Sequence, residues 1–388
     1  MAVYISSNSN RFYCGAELTY GQVPNISSSN RMPAVKLSTK QQIENVVRKD
    51  KIGSRTFGGL PTGGRRRTTF QLNTYMTSWF NVPSGPSYGP LFQASLRTGV
   101  YSAGGAIASV AGTTVTFSGP HGLSVGQAVT YSGDIRFVAA LINATSIQVN
   151  AAFSAAPGPG ALTGATMTYF PSTELPSVSV FDYWSPNSAV HRILCGAGID
   201  QMIVQVNGDF HEFEFQGLAQ DLIDSSSFSG EIGQLTTFPD EPALGAFDYS
   251  IVSGNLGQVW MGVVPERFFT LTSAELLLDN ALDVRSREFG SSVPRALSPG
   301  TRAVSVDFEL YEQDDDATKG LYQAAKQRSP INVMLQLGQE PGQLFGAYLK
   351  SVLPEVPEFD DGDNRLKWCF KNSRAQGTID DEITVAFG

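Results

Sequence analysis

The sequence predicts a mainly β protein, with two tandem antiparallel β-sandwich or barrel domains, each with a flanking helix, and a small inserted β-module. Charged residues make up only 16% of the 388 residues, and there are 39 glycines and 21 prolines, which is typical of many short strands joined by turns. Several segments alternate apolar and polar residues with period two. A series of local patterns also recurs in the same order about 235 positions later in the chain.

The first elements along the chain predict an arm followed by a β domain. Residues 1–34 are rich in Ser and Asn and predict an N-terminal arm, either extended or with short strands. The first domain is predicted over 35–100 and 171–245. Within it, 68–72 alternates like a half-buried strand, and 89–96 predicts a short helix.

Residues 101–170 interrupt this domain with a different composition. They contain no Lys, one Arg (Arg136) and many small residues. Strands are predicted at 113–117, 128–131 and 146–149. We interpret the segment as a small β-module inserted into a loop, because closure entropy grows only slowly with loop length and loops therefore tolerate insertions.

A hairpin is predicted over 199–215, because Asn207-Gly208 is typical of a two-residue turn between antiparallel strands. The pairs that such a turn predicts are Val206–Asp209, Val204–His211 and Met202–Phe213. One face of the hairpin is then largely apolar, and the other is polar and acidic. A linker rich in Ser, Gly and Pro follows.

The second domain is predicted over 246–388, where the signals of the first domain return. The turn LPTGGR at 60–65 is matched by LSPGTR at 297–302, and an alternating strand follows each of them. Duplication of one domain explains this ordered set better than chance does.

A helix is predicted after each of these two strands. The second helix is expected at 317–328, behind the acidic run 314–316, which suits a helix N-terminus. The remaining strand-like segments are 178–181, 332–337, 345–349, 366–370 and 383–387.

Charge and composition exclude several classes of function. Lys and Arg total 27 against 36 Asp and Glu, so the net charge is −9, and an acidic surface repels the phosphates of nucleic acid. The sequence contains no apolar run near the roughly 20 residues of a membrane span and no secretory signal. Three widely spaced cysteines predict neither a metal pair nor a disulfide framework, as expected for a chain made in a reducing cytoplasm.

Neither catalysis nor a cofactor is expected, because the sequence lacks the nucleotide-binding, zinc-protease and serine-hydrolase motifs. His211, Glu212 and Glu214 suggest metal ligands, yet neighbours on a strand point to opposite faces, so a surface acidic strand is the simpler interpretation. The acidic run 314–316 lacks the spacing of a calcium loop. The basic run 65–67 is open to two interpretations, phosphate binding or pairing with another subunit. We predict no catalytic residue, no metal and no cofactor.

The repeated features resemble the tail tube proteins of long-tailed bacteriophages, in the duplicated form that carries two tube domains in one chain. The resemblance rests on two copies of Leu-x-x-Gly-x-Arg followed by a strand and a helix, on the hairpin 199–215, and on the terminal strand within 383–387. It covers most of residues 35–388. The insert, with PHGLSVGQAVTYSG at 120–133, is similar to small β-modules that decorate phage tail proteins.

The resemblance implies a structural virion protein with no catalytic activity. Subunits of the family form hexameric rings, so a two-domain chain would form a trimeric, pseudo-hexameric ring, and the rings would stack into a tube through which DNA passes as non-specific cargo. The further partners implied are tape measure, terminator and baseplate proteins, with assembly in the host cytoplasm and no membrane contact. Loops matching 47–67 and 281–302, together with the N-terminal arm, would stack one ring on the next.

Two sets of site residues follow from this resemblance. A polar, acidic lumen would repel the DNA backbone and let it slide. The lumen-lining candidates, which could equally face outside solvent, are Thr69, Gln71, Asn73, Gln201, Gln205, Glu212, Glu214, Asp307 and Glu309. The inter-ring contact candidates, on the basic loops, are Arg48, Lys49, Lys51, Arg55, Arg285 and Arg287.

Two alternatives stay open. The chain could be a tail terminator, a baseplate protein or a secretion-tube-like ring protein of the same fold lineage, which would form one ring and stop. It could also be a glycan-binding or hydrolytic tail protein that uses the insert as a binding module. That alternative requires a cleft with aromatic side chains and a pair of carboxylates.

Overall fold

The chain is mainly β with antiparallel sheets, as its composition and alternation predict. The computed structural model describes residues 4–44, 50, 51, 53–57, 59, 64–79, 83, 85–186, 188–245, 247, 250–285, 287–362 and 364–388. In this part of the chain, the helices fall short of the length and hydropathy that a membrane span requires.

The elements up to residue 245 are mostly strands, with one α-helix. They are β1 Asn10–Ala16, β2 Arg31–Met32, β3 Ala34–Ile43, β4 Arg66–Tyr75, α1 Gly89–Ser95, β5 Val100–Ser102, β6 Ile107–Ala111, β7 Thr114–Phe117, β8 Ala128–Tyr131, β9 Asp134–Leu141, β10 Ser146–Val149, β11 Thr166–Tyr169, β12 Val178–Trp184, β13 Arg192–Val206, β14 Glu212–Ala219 and β15 Asp221–Asp224.

The elements after residue 245 are again mostly strands, with one α-helix. They are β16 Gly257–Gly262, β17 Glu266–Phe268, β18 Leu271–Asp279, β19 Asp283–Val284, β20 Leu297–Ser298, β21 Ala303–Tyr311, α2 Asp316–Gln327, β22 Ile331–Leu337, β23 Phe345–Leu353, β24 Glu358–Asp360, β25 Lys367–Ala375 and β26 Thr384–Phe387. Short 3₁₀ turns lie at Ser7–Ser9, Ser28–Asn30 and Ile232–Gln234.

Eight strands form one continuous antiparallel succession, which we call the main sheet. Its order is β3-β4-β14-β13-β18-β21-β25-β24. The pairing of β13 with β18 joins the two sequence halves in a single sheet. The remaining strands of the large sheet assembly, including β11, β22, β23 and β26, continue beyond this succession.

The strands of the main sheet alternate between a buried face and a polar face, because successive side chains of a strand point to opposite sides. Phe70 and Leu72 on β4, and Val306 and Phe308 on β21, are buried as the sequence pattern predicts. Phe92 of α1 fills the space behind this face, with its ring 5.1 Å from that of Phe213. The same ring lies 5.0 Å from that of Phe387 on β26. One hydrophobic core therefore serves residues from both halves of the chain.

A strand, long connection, strand and helix occur in the same order twice. β3 and β4 pair across a connection of 22 residues, and β18 and β21 pair across one of 23. Each pair is followed by a helix, within one residue of the predicted bounds. Asp315 caps α2, because its side chain accepts a hydrogen bond of 2.7 Å from the backbone N–H of Thr318, which satisfies a donor that the helix itself leaves unpaired.

The segment 101–170 contains a separate five-stranded sheet of β6 to β10 with its own hydrophobic cluster. The flanking strands β5 and β11 pair with each other and belong to the large assembly, so that assembly reaches into both ends of the predicted insert. The N-terminal segment also contributes regular structure, because β1 pairs with β12 along seven residues.

The fully buried Arg136 connects the small sheet to the rest of the chain. Its guanidinium donates to the carbonyl oxygen of Ala152 at 2.9 Å and to Gln336 Oε1 at 3.3 Å, and it lies 3.3 Å from the Asp134 carboxylate. Gln336, on β22, in turn donates to the carbonyl of Gly133 at 2.8 Å. Burial lowers the pKa of Arg136 to about 10, which leaves it charged and neutralised by Asp134 at neutral pH.

The predicted pairing across Asn207-Gly208 is wrong by two residues. Val204 pairs with Phe213, and Met202 with Phe215, so the connection spans 207–211 and is not a two-residue turn. The cause is competition from residues 251–256: the N–H of His211 donates to the carbonyl of Val252 at 3.3 Å, and Phe210 forms a bridge with Ser253. A shift of two residues preserves the faces, because side chains repeat with period two.

Candidate functional site

All nine lumen-lining candidates lie on the polar face of the main sheet, opposite its buried core. On β4 they are Thr69, Gln71 and Asn73; on β13 Gln201 and Gln205; on β14 Glu212 and Glu214; and on β21 Asp307 and Glu309. The strand registers place them in rows across the sheet, with Glu214 beside Asn73 and Gln205 beside Glu275. Residues far apart in sequence therefore share one polar surface. That this surface lines a lumen stays a prediction.

Side-chain amides hold the carboxylate of Glu214 at the centre of this face. Gln71 donates to its Oε1 at 2.9 Å, Gln216 donates to the same oxygen at 2.6 Å, and Asn73 donates to Oε2 at 3.3 Å. On the adjacent strands, Gln201 donates to Asp279 at 3.0 Å. These acids are thus oriented by neutral amide donors.

Several residues of the polar face are missing from the predicted set. Glu275 and Asp279 on β18 pair across the sheet with Gln205 and Gln201, and Glu275 also lies beside Asp307. Their signal was present in the sequence, because Ala274, Leu276 and Leu278 alternate with them and are buried. β13 and β18 are neighbours because they pair over a long distance in sequence, and strand periodicity does not reveal such a pairing.

The outermost strands of the main sheet carry opposite charges on the polar face. β3 pairs with β4 alone among the described residues, and its Lys36 and Lys40 are exposed. β24 pairs only with β25 in the same part of the chain, and its Glu358 and Asp360 are exposed. Glu358 also contacts Lys371 on β25 at 2.7 Å. Both edges therefore have backbone groups that can pair with another strand.

The two long connections lie together at one end of the main sheet, which we call the basic end. A cavity of about 590 Å³ adjoins them. Its charged lining residues are the basic Arg66, Arg67, Arg285 and Arg287 and the acidic Glu44, Asp283 and Glu288. Of the inter-ring candidates, Lys51, Arg55, Arg285 and Arg287 lie on these connections, and none makes an ion pair with another described residue. Arg48 and Lys49 lie outside the described residues.

The opposite end of the main sheet is acidic, and we call it the acidic end. The connection 207–211 carries Asp209 and no Lys or Arg, and the connection 312–315 carries three acids and no Lys or Arg. By contrast, 44–67 contains seven basic and two acidic residues, and 280–302 contains four basic and two acidic residues. These two pairs of connections therefore carry opposite net charge, while at the basic end Arg302 is paired with Asp380 and Glu382, and Arg66 with Asp221.

Two of the three histidines and two of the three cysteines are explained by their structural surroundings. His121 accepts from the N–H of Leu123 at 2.9 Å and donates to the carbonyl of Asn143 at 3.0 Å, which holds a turn. His211 is buried, donates to the carbonyl of Leu256 at 2.8 Å, and has its pKa lowered by burial. Burial raises the pKa of the Cys14 and Cys195 thiols. Among the described residues, no group of three or more His, Cys, Asp and Glu is placed to hold a metal ion.

Comparison with models of known protein families found no match, and a search of curated proteins found no similar sequence.

Proposed function

We propose that the chain is a structural subunit of the tail tube of a long-tailed bacteriophage, with two tandem tube domains that form trimeric, pseudo-hexameric rings. The observation that carries this proposal is the main sheet: eight antiparallel strands with one polar face, one buried face and two unpaired outer edges within the described residues. A long edge strand that stays unpaired tends to pair with a strand of another chain, and closure of a ring leaves no edge unpaired.

The direction of the strands supports closure between copies. Eight alternating strands place β3 and β24 in opposite directions, so β3 of one copy can pair with β24 of the next and continue the antiparallel order. Lys36 and Lys40 would then meet Glu358 and Asp360 on the same face, and opposite charges on neighbouring strands stabilise their pairing.

The size of the resulting barrel supports a channel. Three copies contribute twenty-four strands, and at about 4.8 Å between strands the ring of backbone is roughly 115 Å around and about 37 Å across before strand tilt widens it. Such a barrel is too wide for side chains to fill, because a barrel of about 8 strands already fills its own interior. Its inner wall would be the polar face.

The chemistry of that face supports passage of DNA without binding. Glu212, Glu214, Asp307 and Glu309 repel phosphates, while Gln71 and Gln205 are neutral. Binding to the DNA backbone gains free energy when basic side chains release counterions. Lys36 and Lys40 of this face would be paired with Glu358 and Asp360 of the neighbouring copy, so acids and amides dominate what remains. DNA would therefore be non-specific cargo.

The separation of charge supports stacking. If rings stack in one direction, the basic end of each copy meets the acidic end of the next, and the two long connections reach across the junction. On this proposal the further partners are tape measure, terminator and baseplate proteins, and the chain is located in the virion tail after assembly in the host cytoplasm.

Negative-stain electron microscopy of the purified full chain tests this function. We expect hollow tubes with threefold or pseudo-sixfold end views. Discs that do not lengthen would instead favour the terminator or baseplate alternative, and a monomer at every concentration would contradict a ring-forming subunit. The glycan-binding alternative has less support, since Trp79 and Trp368 are buried in the core and are not available to a ligand.

A further inference from the structure

The two connections of the basic end contain the same short sequence, and we call its Phe57 and Phe289 the tips. Arg-x-Phe-Gly occurs at 55–58 and again at 287–290. Phe57 is 67% exposed and Phe289 is fully exposed. Single exposed apolar side chains are common and need no explanation. A matched pair, each two residues after an Arg and on corresponding connections of the two halves, indicates a shared role.

The acidic end offers two apolar surfaces. The first consists of Phe210 and Ile251, with Phe210 packed edge-on against Tyr75 at a centroid distance of 5.4 Å. The second is centred on Phe269, which is 81% exposed. A cavity of about 530 Å³ adjoins Phe269 and is lined by Leu271 and Leu366 together with Glu312 and Arg365. The guanidinium of Arg267 lies 4.6 Å from the centroid of the Phe269 ring.

The spacing of the tips differs from the spacing of these surfaces by about one strand separation. The tips follow the pairs β3–β4 and β18–β21, which lie four strands apart, or about 19 Å at the usual strand separation. The apolar surfaces lie at the ends of β4–β14 and β18–β21, three strands apart, or about 14 Å. Connections of 22 and 23 residues can span the difference.

We propose that Phe57 and Phe289 are anchors that insert into the two apolar surfaces at the acidic end of the next copy of this chain. This inference rests on the proposed tube and identifies which side chains join its rings. Arg55 and Arg287 then face the acidic connections that contain Asp209 and Glu312, so each apolar anchor has a cation beside it. Aromatic and Arg side chains surrounded by polar residues are typical of the energetically dominant part of an interface.

The test compares tube lengths for the wild-type chain, F57A/F289A and the control L162A. Leu162 is 72% exposed and belongs to neither end of the main sheet. We expect tubes at least tenfold shorter, or single rings, for F57A/F289A, and tubes of normal length for L162A. Because both Phe side chains are exposed, circular dichroism should show an unchanged fold.

The outcomes separate the two proposals. If the wild-type chain forms no tubes, the proposed function fails and this inference fails with it. If the wild-type chain and F57A/F289A form tubes of equal length, the anchors are wrong while the tube stands.

A second measurement uses F269C/F289C and a short bis-maleimide crosslinker, since Cys14, Cys195 and Cys369 are buried. A ladder of covalent multimers is expected. A ladder that is missing while tubes still form would contradict the anchor assigned to Phe289.

Discussion

Glu214 illustrates how neutral amide groups orient the carboxylates of the polar face. Three amide donors, from Gln71, Asn73 and Gln216, orient the carboxylate within the sheet. No Lys or Arg among the described residues forms an ion pair with it. A carboxylate stabilised by neutral donors acts on a passing phosphate as a fixed negative charge.

Adding cations to the polar face should make the tube bind DNA. The variant Q205K/E212K replaces two side chains of this face that make no hydrogen bond with another described side chain. Its tubes should retain duplex DNA at low salt and release it as salt rises, because each added cation releases counterions from the DNA. The measurement is cosedimentation of DNA with tubes at several salt concentrations.

The matched control is E266K/Q339K, which changes one Glu and one Gln at exposed positions outside the polar face. We expect its tubes to retain no more DNA than wild-type tubes. Equal DNA retention by both double variants would contradict the assignment of this face to the lumen.

Glu241 should make the stability of the N-terminal segment depend on pH. It accepts hydrogen bonds from Arg11 and, at 2.8 Å, from Tyr13 on β1. Burial alone would raise the pKa of the Glu241 carboxyl, but these hydrogen bonds outweigh burial and hold the pKa below its usual 4.5. The unfolded chain therefore takes up the proton first as pH falls, so the stabilisation is complete well above 4.5 and is lost below it.

We expect E241Q to lower the free energy of unfolding by about 1 kcal/mol at neutral pH, allowing for solvent screening of this partly exposed pair, and by less near pH 3. Urea denaturation at both pH values measures the difference. The control at neutral pH is E231Q, which removes an exposed carboxylate from the linker that also contains Glu241. A deficit for E241Q that is the same at both pH values would contradict the linkage.

At the scale of elements, the hairpin β13–β14 shows what a sequence pattern can and cannot predict. Alternation correctly separates Met202, Val204, Phe213 and Phe215, which are buried, from the polar residues between them. The register could not be predicted, because His211 and Phe210 bond to a segment some forty residues away instead of to β13. Local turn preference was outweighed by tertiary hydrogen bonds.

The order of the strands in the main sheet could not be predicted from the sequence either. The pattern located β4, β13 and β21 and the faces of their side chains, because alternation is a local property. It did not show that β13 pairs with β18, or that β24 ends the sheet, because pairing depends on which distant strand offers a complementary face. The nine predicted lumen candidates therefore share one face, on which Glu275, Asp279, Lys36 and Lys40 also lie without having been predicted, and the assignment of this face to a lumen stays a prediction.

The attachment of the small sheet should depend on Arg136. R136A leaves Asp134 buried without its cation and removes the donors to Gln336 and Ala152. Breaking a buried ion pair in this way should lower the free energy of unfolding by about 3 kcal/mol. Chemical denaturation measures the loss.

K319A is the comparison for R136A, because the Lys319–Asp314 pair is exposed and surface pairs contribute little. Its stability should equal that of the wild-type chain. An R136A variant as stable as K319A would mean that the small sheet is held by other contacts.

At the scale of the whole molecule, opposite edges of the main sheet should recognise each other by charge. K36E/K40E should prevent ring formation, because like charges would then oppose Glu358 and Asp360 of the neighbouring copy. E358K/D360K should do the same with the signs reversed. Analytical ultracentrifugation of each variant measures the loss of rings.

Mixing the two variants provides the control for misfolding. In an equimolar mixture, Glu on β3 of one copy can meet Lys on β24 of the other, so pairwise association should return. If each variant alone still forms rings, or if the mixture stays monomeric while both variants are folded, pairing of β3 with β24 is wrong.

The net charge of −9 is also a property of the whole molecule and is unevenly placed. Basic residues collect on the connections at one end of the strands, and acidic residues collect at the other end and on the polar face. This arrangement suits a subunit that must attract its own copies end to end while repelling the polymer in its channel.

The most direct test of the tube subunit is a cryo-electron microscopy reconstruction of the assembled protein. We expect a tube whose inner wall is a barrel of twenty-four strands, eight from each of three copies, with Gln71, Glu214 and Asp307 facing the channel. A tube with these side chains on its outer wall, or rings that leave β3 and β24 unpaired, would contradict it.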